Sequence, residues 1–196
     1  MKAFLPTLAA LGFLAATPAS AFQVYGAIGE KWKQLKAEAG PLGGPRSDER
    51  KAAGDGRYNE FQHGYIYWHP KHGAFAVYGA IGEKWNQMGR ERNFGFPVTD
   101  ERSAPRGGRF NDFENGGSIY WQTKLGAHAI YGVIRQKWLQ LGGVAACGYP
   151  TSDEYQRGNS RTSDFERGQI SWSKQLGVRY TGCAKLANPE VIPAER

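Results

Sequence analysis

The sequence is poor in the residues from which metal sites and nucleophilic active sites are usually built. It has two cysteines and four histidines in 196 residues. The histidines, His63, His69, His72 and His128, do not stand at ligand spacing beside cysteine or a paired carboxylate. The motifs of serine hydrolases, zinc peptidases and phosphate-binding loops are missing. We therefore expect no metal, no cofactor and no catalytic residues.

Long apolar runs are confined to the first 21 residues. This segment has Lys2, an apolar stretch and then the small residues Ala19-Ser20-Ala21. A basic start, a short apolar centre and an A-x-A end are typical of a cleaved signal peptide. Residues 1–21 are therefore predicted to be removed, which predicts a secreted protein that is extracellular, periplasmic or associated with the cell wall. No later segment is long and apolar enough to predict a membrane span.

Runs of like charge are also missing, although the chain has 25 basic and 18 acidic residues. The basic residues are scattered among predicted loops, which favours a solvated surface. Export from the cytoplasm also argues against nucleic acid, and none is expected as a partner.

The two cysteines, Cys147 and Cys183, form an even pair in a predicted exported chain. Such a pair is most simply a disulfide. It would close a loop across the last part of the chain. A catalytic C-x-x-C arrangement is absent.

Three tandem copies of a unit of roughly 53 residues occupy most of the chain. Each copy begins with an aliphatic residue followed by Tyr-Gly, and these motifs start at Val24, Val77 and Ile130. Self-similarity at a fixed period is the mark of a repeat protein. We expect one domain over residues 22–183, with units at about 22–76, 77–129 and 130–183, and a tail at 184–196.

Each unit has the pattern of a short helix, a Gly/Pro loop and an antiparallel hairpin. Ile28, Trp32 and Leu35 stand at i, i+4 and i+7, which places them on one helix face. The following Gly-x-Pro segment cannot continue a helix. Two β-rich runs, 65–68 and 74–78, flank a turn and predict the hairpin. The fold class predicted is an α+β repeat.

A single unit is too small to bury its own aromatic face, so neighbouring units are expected to pack on each other. The chain opens with strand-like residues 23–26 and ends with strand-like residues 177–182. These segments either pair and close a ring, or each completes an end unit. A compact pseudo-threefold or propeller-like arrangement is favoured over an open rod.

The Gly-x-Pro loop, the acidic pair that follows it, the strand ending in Trp and the helix with a central Trp together resemble the LGFP repeat family. The resemblance covers residues 23–182. The name-giving tetrapeptide varies, and its three versions are Leu42-Gly43-Gly44-Pro45, Phe94-Gly95-Phe96-Pro97 and Cys147-Gly148-Tyr149-Pro150. Such repeats occur in bacterial envelope proteins, often beside a catalytic domain that is not found here. The resemblance implies an extracellular, non-catalytic role in binding wall polymers.

The six tryptophans share faces with aliphatic residues and are predicted to be core residues. They are Trp32, Trp85 and Trp138 on the helices and Trp68, Trp121 and Trp172 on the strands. Because successive strand residues point to opposite faces, Tyr67 and Tyr120 are predicted to face solvent and to contact a ligand. Ser171 replaces them in the third unit.

The polar residues that recur at one phase are the candidate ligand-binding residues. They are the acidic pairs Asp48 and Glu49, Asp100 and Glu101, Asp153 and Glu154, and the arginines Arg57, Arg109 and Arg161. Two interpretations stay open. Either the carboxylates and guanidinium groups form salt bridges that fasten loop to hairpin, or they line pockets that bind sugar hydroxyls.

The leading hypothesis is a non-catalytic module that binds a cell-wall or envelope polysaccharide through repeated equivalent sites. One alternative is a small glycan or peptidoglycan hydrolase that uses a carboxylate pair. Another is a structural scaffold for protein interactions. A hydrolase is expected to break the repeat at its active site, whereas these polar positions vary little. The oligomeric state does not follow from the sequence.

Overall fold

The structure is a computed structural model, and it describes residues 22–183. The predicted signal peptide, residues 1–21, and the predicted tail, residues 184–196, lie outside the described residues. Three repeated units follow one another, each with a helix, a Gly/Pro loop and a four-stranded antiparallel sheet. The predicted α+β repeat is therefore confirmed.

The helix of each unit begins at the glycine of the Tyr-Gly motif. The three helices are α1 (Gly26–Gln34), α2 (Gly79–Gln87) and α4 (Gly132–Leu141), and the short helices α3 (Arg90–Asn93) and α5 (Gly143–Cys147) follow α2 and α4. The first residue of each main helix has φ between 54° and 58°, a conformation that favours glycine. Ile28, Ile81 and Ile134 are buried on the helix face predicted from the sequence.

Each sheet contains four consecutive strands. The first sheet has β1 (Arg50–Lys51), β2 (Arg57–Phe61), β3 (Gly64–His69) and β4 (Gly73–Tyr78). The second has β5 (Arg102–Ala104), β6 (Gly108–Asp112), β7 (Ser118–Gln122) and β8 (Gly126–Ile130), and the third has β9 (Tyr155–Arg157), β10 (Ser160–Phe165), β11 (Gly168–Ser173) and β12 (Gly177–Gly182). Strands β3 and β4 form the predicted hairpin.

The Gly/Pro loop is fixed between the helix and the sheet of its unit. The indole Nε1 of Trp85 donates a hydrogen bond to the carbonyl oxygen of Gly95 over 3.2 Å. Two residues later, Pro97 forms a β-bridge with Phe113, the residue that follows β6. The other two units repeat both contacts, at Trp32 and Pro45 and at Trp138 and Pro150.

Neighbouring units share a core because each internal helix lies between two sheets. Helix α2 contacts β7 and β8 of its own sheet and also β3 and β4 of the preceding sheet. The ring of Trp85 lies 4.9 Å from Tyr67 of the preceding sheet and 5.9 Å from Phe113 of its own. Helix α4 repeats this arrangement, with Trp138 between Tyr120 and Phe165. The expectation that units pack on units is confirmed.

The prediction that Tyr67 and Tyr120 face solvent is wrong. Tyr67 is 2% exposed and Tyr120 is 7% exposed. The sheet face that carries them is covered by the helix of the following unit, so both faces of the sheet are buried. In the third unit, Ser171 stands at this position and is half-buried.

The terminal segments complete end units and do not pair with each other. Strand β12 pairs with β11 at the edge of the third sheet. Within residues 22–183, every sheet is made of strands from one unit, so no closed barrel forms. The pseudo-threefold or propeller-like arrangement of the units stays a prediction.

Cys147 and Cys183 form the predicted disulfide, which joins the start of the third Gly/Pro loop to the end of β12. Both residues are buried in the core that α4 shares with the third sheet. No helix within residues 22–183 has the length and apolar character needed to span a membrane.

Candidate functional site

The recurring acidic pair divides into two residues with different partners. In the extended segment before β5, Asp100 accepts a hydrogen bond from the Ala76 amide over 3.0 Å and one from Lys31 Nζ over 2.6 Å. Both donors belong to the preceding unit. Asp153 repeats this contact with Ala129 and Lys84, over 2.9 and 2.8 Å. The aspartates therefore join successive units.

The first aspartate has the same backbone contact without a preceding unit. Asp48 accepts a hydrogen bond from the Gln23 amide over 3.1 Å. Gln23 stands one repeat length before Ala76, so the segment ahead of α1 takes the place of a preceding strand. The aspartates therefore take no part in the loop-to-hairpin salt bridges with arginine that the sequence suggested.

The electrostatics of Asp153 agree with this role. Burial by itself would raise the pKa of its carboxyl, but the nearby His128 and the hydrogen bonds from Lys84 and the Ala129 amide outweigh burial and hold the pKa well below its usual value. The ionised carboxylate is therefore the form that the contact between units stabilises.

The recurring glutamates instead pair with the recurring arginines of their own unit. Glu49 lies 3.8 Å from Arg57, measured from Oε1 to Nε. The same two atoms are 3.4 Å apart in Glu101 and Arg109 and 2.7 Å apart in Glu154 and Arg161. Each glutamate immediately precedes the first strand of its sheet, and each arginine lies near the start of the second. The ion pair thus joins the loop to the sheet.

A tryptophan shares the sheet face with the arginine of each Glu–Arg pair, and in the second and third units a tyrosine lies near the pair. Arg109 is the cross-strand partner of Trp121, so the two side chains share a sheet face. Tyr78, the residue before α2, lies near Glu101 and interacts with it electrostatically. With Gly79 and Ile81 these four residues line an open cavity of about 290 Å³. We call the four residues a Glu–Arg cluster, and the three clusters are Glu49, Arg57, Trp68 and Tyr25; Glu101, Arg109, Trp121 and Tyr78; and Glu154, Arg161, Trp172 and Tyr131.

The clusters keep the same register in all three sheets. Arg57 pairs with Trp68 and Arg161 with Trp172, as Arg109 does with Trp121. In the third cluster Tyr131 interacts electrostatically with Arg161. The tyrosine that precedes the helix therefore lies close to the ion pair in the second and third units.

The arginine is the exposed member of each ion pair. Side-chain exposure is 41%, 43% and 44% for Arg57, Arg109 and Arg161. The glutamates are 22%, 17% and 11% exposed. A ligand arriving from solvent would thus meet a guanidinium group backed by a carboxylate, with aromatic rings at its side.

The second cluster keeps its tyrosine protonated. Burial, with smaller contributions from the charges of Glu101 and Asp100, raises the pKa of Tyr78 to about 12. Burial also raises the pKa of Glu101, against the opposing effects of Arg109 and Tyr78. Tyr78 therefore remains an O–H donor at neutral pH, and the cluster offers donors of three kinds: phenol, indole and guanidinium.

The structure brings together some of the predicted binding residues and separates others. Each Glu meets its Arg, as the sequence indicated. The aspartates point to the neighbouring unit, and Tyr67 and Tyr120 lie in the shared cores, so none of these joins a cluster.

The prediction that all six tryptophans are core residues holds fully for the internal helices and in part for Trp32, Trp68 and Trp121, which pack against the cores while partly exposed. Trp85 and Trp138 are buried. Trp68 and Trp121 are half-buried, and Trp172 is 37% exposed. They stand near the ends of β3, β7 and β11, on the side of the sheet that carries the arginine.

Tyr25, Tyr78 and Tyr131 were missed as candidate site residues. Their signal was present in the sequence, because the tyrosine of the Tyr-Gly motif returns at the same phase in every unit. Within residues 22–183 no group of three or more His, Cys, Asp or Glu side chains is arranged to hold a metal ion.

Comparison with known proteins places the chain in a family. No curated protein matches the sequence significantly. The family model of the LGFP repeat matches residues 42–93, 94–145 and 148–184, well over half of the chain. The first match runs from the Gly/Pro loop through the sheet to the helix of the next unit, which is the helix that packs on that sheet. The chain belongs to the LGFP repeat family.

Proposed function

We propose that this protein is a secreted, non-catalytic module that binds a cell-wall or envelope polysaccharide through its three Glu–Arg clusters. The observation that carries the proposal is the return of the same four side chains, in the same register, in each unit. The core residues between the units explain stability, but they do not explain why a partly exposed Arg, Trp and Tyr recur together.

The chemistry of a cluster suits a polyhydroxylated ligand. The carboxylate accepts hydrogen bonds and the guanidinium, indole and phenol donate them, so one hydroxyl-rich ring has several complementary partners. The half-buried tryptophan presents an apolar ring beside these polar groups. Aromatic side chains of this kind combine an apolar body with a polar edge.

Repetition would supply affinity that one open cluster lacks. Once the first cluster engages a polymer, contacts by the second and third become intramolecular, and avidity can exceed the single-site affinity by about 10²–10⁴. The bridges from Lys31 to Asp100 and from Lys84 to Asp153 hold successive units together. A fixed spacing between clusters favours a ligand that is itself periodic.

The environment of the carboxylates favours binding over glycan hydrolysis. Glycoside hydrolases use two carboxyl groups in one site, with environments that separate their pKa values. Each cluster contains one glutamate, since the adjacent aspartate is engaged between units. Three equivalent ion pairs also differ from a single specialised site. The competing hypothesis is a purely structural scaffold, and the experiment below distinguishes a scaffold from a binding module.

The test uses mature protein lacking residues 1–21 and pull-down with isolated peptidoglycan, arabinogalactan and lipopolysaccharide. Each cluster glutamate is changed to Gln singly and then all three together. We expect each single variant to weaken binding modestly and the triple variant to weaken it about a hundredfold or more, because avidity is lost with each disengaged site. Glu30→Gln, an exposed glutamate paired with Lys33 on α1, is the matched control and should bind normally.

Melting temperatures measured on the same variants exclude the alternatives. If the glutamates only fasten loops, each substitution lowers the melting temperature while binding per folded molecule stays unchanged. If one cluster is an active site, one substitution abolishes an activity and the other two have no effect. Either pattern would reject the proposal of three equivalent binding sites.

A further inference from the structure

A second cavity lies between the first sheet and α2 and shares no residue with the Glu–Arg cluster of the second unit. Its volume is about 290 Å³, near the lower end of the range for small-molecule sites. The residues that line it and matter here are Arg46, Glu60, Tyr65, Gly82, Glu83 and Asn86. Neither family membership nor the proposed function assigns a role to this cavity.

The equivalent position one repeat later is filled by an arginine side chain. Arg135 stands three residues after the first glycine of α4, as Gly82 does in α2. Its Nε donates to the Ser118 hydroxyl over 2.7 Å, and its Nη2 donates to Asp112 Oδ1 over 3.0 Å. The acceptors lie on the second sheet, so this guanidinium bridges the helix of one unit and the sheet of the unit before it.

The first sheet keeps the acidic acceptor of this arrangement but lacks its arginine. Glu60 corresponds to Asp112 in the repeat. Each is the cross-strand partner of a residue in the next strand, and in both cases that residue directly precedes the buried isoleucine. Gly82 removes the side chain that would reach it. The two interfaces are therefore built alike, with a guanidinium present in one and a cavity in the other.

The cavity also contains one acceptor atom that the rest of the described chain leaves without a partner. The Oδ1 atom of Asn86 is buried and accepts no hydrogen bond from the residues described. Asn86 stands where the next unit has Leu139, and Glu83 stands where it has Gln136. Both replacements add acceptor capacity next to the missing arginine.

Cationic groups already near the cavity leave the carboxylate accessible. Arg50 Nη1 lies 3.6 Å from Glu60 Oε2, and both side chains are more than a third exposed. Arg46 lies on the cavity wall. Arg90 is engaged with Tyr65, donating to its hydroxyl over 3.1 Å. Arg50 therefore holds the Glu60 carboxylate over a longer distance than the two bonds of 2.7 and 3.0 Å that Arg135 makes to Ser118 and Asp112.

We propose that this cavity binds the guanidinium group of an external ligand. Glu60 would accept from the guanidinium as Asp112 accepts from Arg135, and Asn86 Oδ1 would accept a further N–H. A guanidinium is planar and presents several donors in a fixed geometry, which suits two acceptors on different walls better than an ammonium group does. The missing side chain of Gly82 leaves the ligand room to approach α2.

Ethylguanidinium is the first probe, with ethylammonium as the matched cation, and binding is followed by amide NMR shifts and calorimetry on residues 22–196. We expect one saturable site per chain, with shifts centred on Gly82 and Asn86. Ethylguanidinium should bind about tenfold or more tightly than ethylammonium, because the guanidinium makes one additional hydrogen bond that involves a charged group. Glu60→Gln should remove the binding, and Glu30→Gln should leave it unchanged.

Two further variants use the repeat as its own control. Gly82→Arg should fill the cavity and abolish probe binding. Arg135→Ala should open the second cavity and raise the stoichiometry from one site to two. Should Gly82→Arg fail to fold, the comparison of Glu60→Gln with Glu30→Gln still decides the question.

The source of the guanidinium is then distinguished with free arginine and a capped arginine peptide. Tighter binding of free arginine identifies a small-molecule ligand, and tighter binding of the peptide identifies a polypeptide side chain. Unsaturable binding of ethylguanidinium, or binding that Glu60→Gln leaves intact, overturns the proposal.

Discussion

Replacing Trp85 by Ala tests whether the units depend on each other for stability. The side chain is fully buried between two sheets. It packs against Tyr65 and Tyr67 of the first sheet and Phe113 of the second, and its indole N–H donates to the Gly95 carbonyl. The substitution therefore removes contacts to both units and leaves a buried carbonyl without its donor.

The size of the effect follows from the buried area. A large aromatic side chain buries about 150–250 Å². At about 25 cal/mol per Å² this corresponds to about 4–6 kcal/mol of transfer free energy. Comparable aromatic truncations in protein cores cost about 3–5 kcal/mol, which is the loss we expect for Trp85→Ala. In a domain of this size that is a fall of roughly 6–20 °C in melting temperature.

Trp32→Ala is the matched control, because Trp32 occupies the same helix position and donates to Gly43 as Trp85 does to Gly95. Within the described residues no sheet precedes α1, and Trp32 is only half-buried beside Phe61. We expect a loss of about 1–3 kcal/mol in the free energy of unfolding. Guanidinium chloride denaturation followed by circular dichroism measures both variants. Equal losses for the two would refute packing between units as the source of the difference.

Two further predictions concern the contacts that hold the third unit. Asp153→Asn should lower the free energy of unfolding at neutral pH by about 1–2 kcal/mol, a value reduced because the carboxylate is partly exposed. Because folding lowers the pKa of Asp153, its contribution to stability is complete above the usual pKa of 3.8 and is lost as the pH falls further. The difference in unfolding free energy between wild type and Asp153→Asn should therefore shrink in acid. A difference that persists in acid would contradict the assignment. Cys183→Ala should lower the free energy of unfolding by about 2–4 kcal/mol. Mass spectrometry without reductant should find Cys147 and Cys183 linked. Two free thiols in exported protein would contradict the pairing.

The local elements could be predicted from the sequence because each depends on a short-range pattern. The helix follows from the apolar spacing that begins at Ile28, and the hairpin follows from two β-rich runs around a turn. The threefold repetition strengthened every such prediction, since chance matches do not return at one period. The shortest strands, β1, β5 and β9, were not predicted, because two or three residues carry too little pattern.

The burial of Tyr67 and Tyr120 could not be predicted in the same way. Strand alternation shows which side chains share a face, but it does not show what covers that face. The answer depends on the next unit, whose helix lies against the tyrosines. The third unit contains a clue, because Ser171 replaces the tyrosine where no further helix follows in the described chain.

The candidate site was half predictable for a related reason. Glu101 and Arg109 recur at one phase and were expected to meet, as they do. The division of the acidic pair was not foreseen, although neighbouring residues in an extended segment point to opposite sides. Asp100 therefore reaches the preceding unit while Glu101 reaches its own sheet. Tyr78 was overlooked because it was interpreted only as the last residue of the second β-rich run, 74–78.

The most direct test of the central claim is NMR of the six indole N–H groups during titration with fragments of the wall polymer that binds best. Three belong to the clusters, on Trp68, Trp121 and Trp172, and three donate to loop carbonyls in the interior, on Trp32, Trp85 and Trp138. Three equivalent binding clusters predict that the strand signals shift together with a common dissociation constant while the helix signals stay in place. Shifts confined to one unit or to the helix signals, or no shift with any polymer, would contradict it.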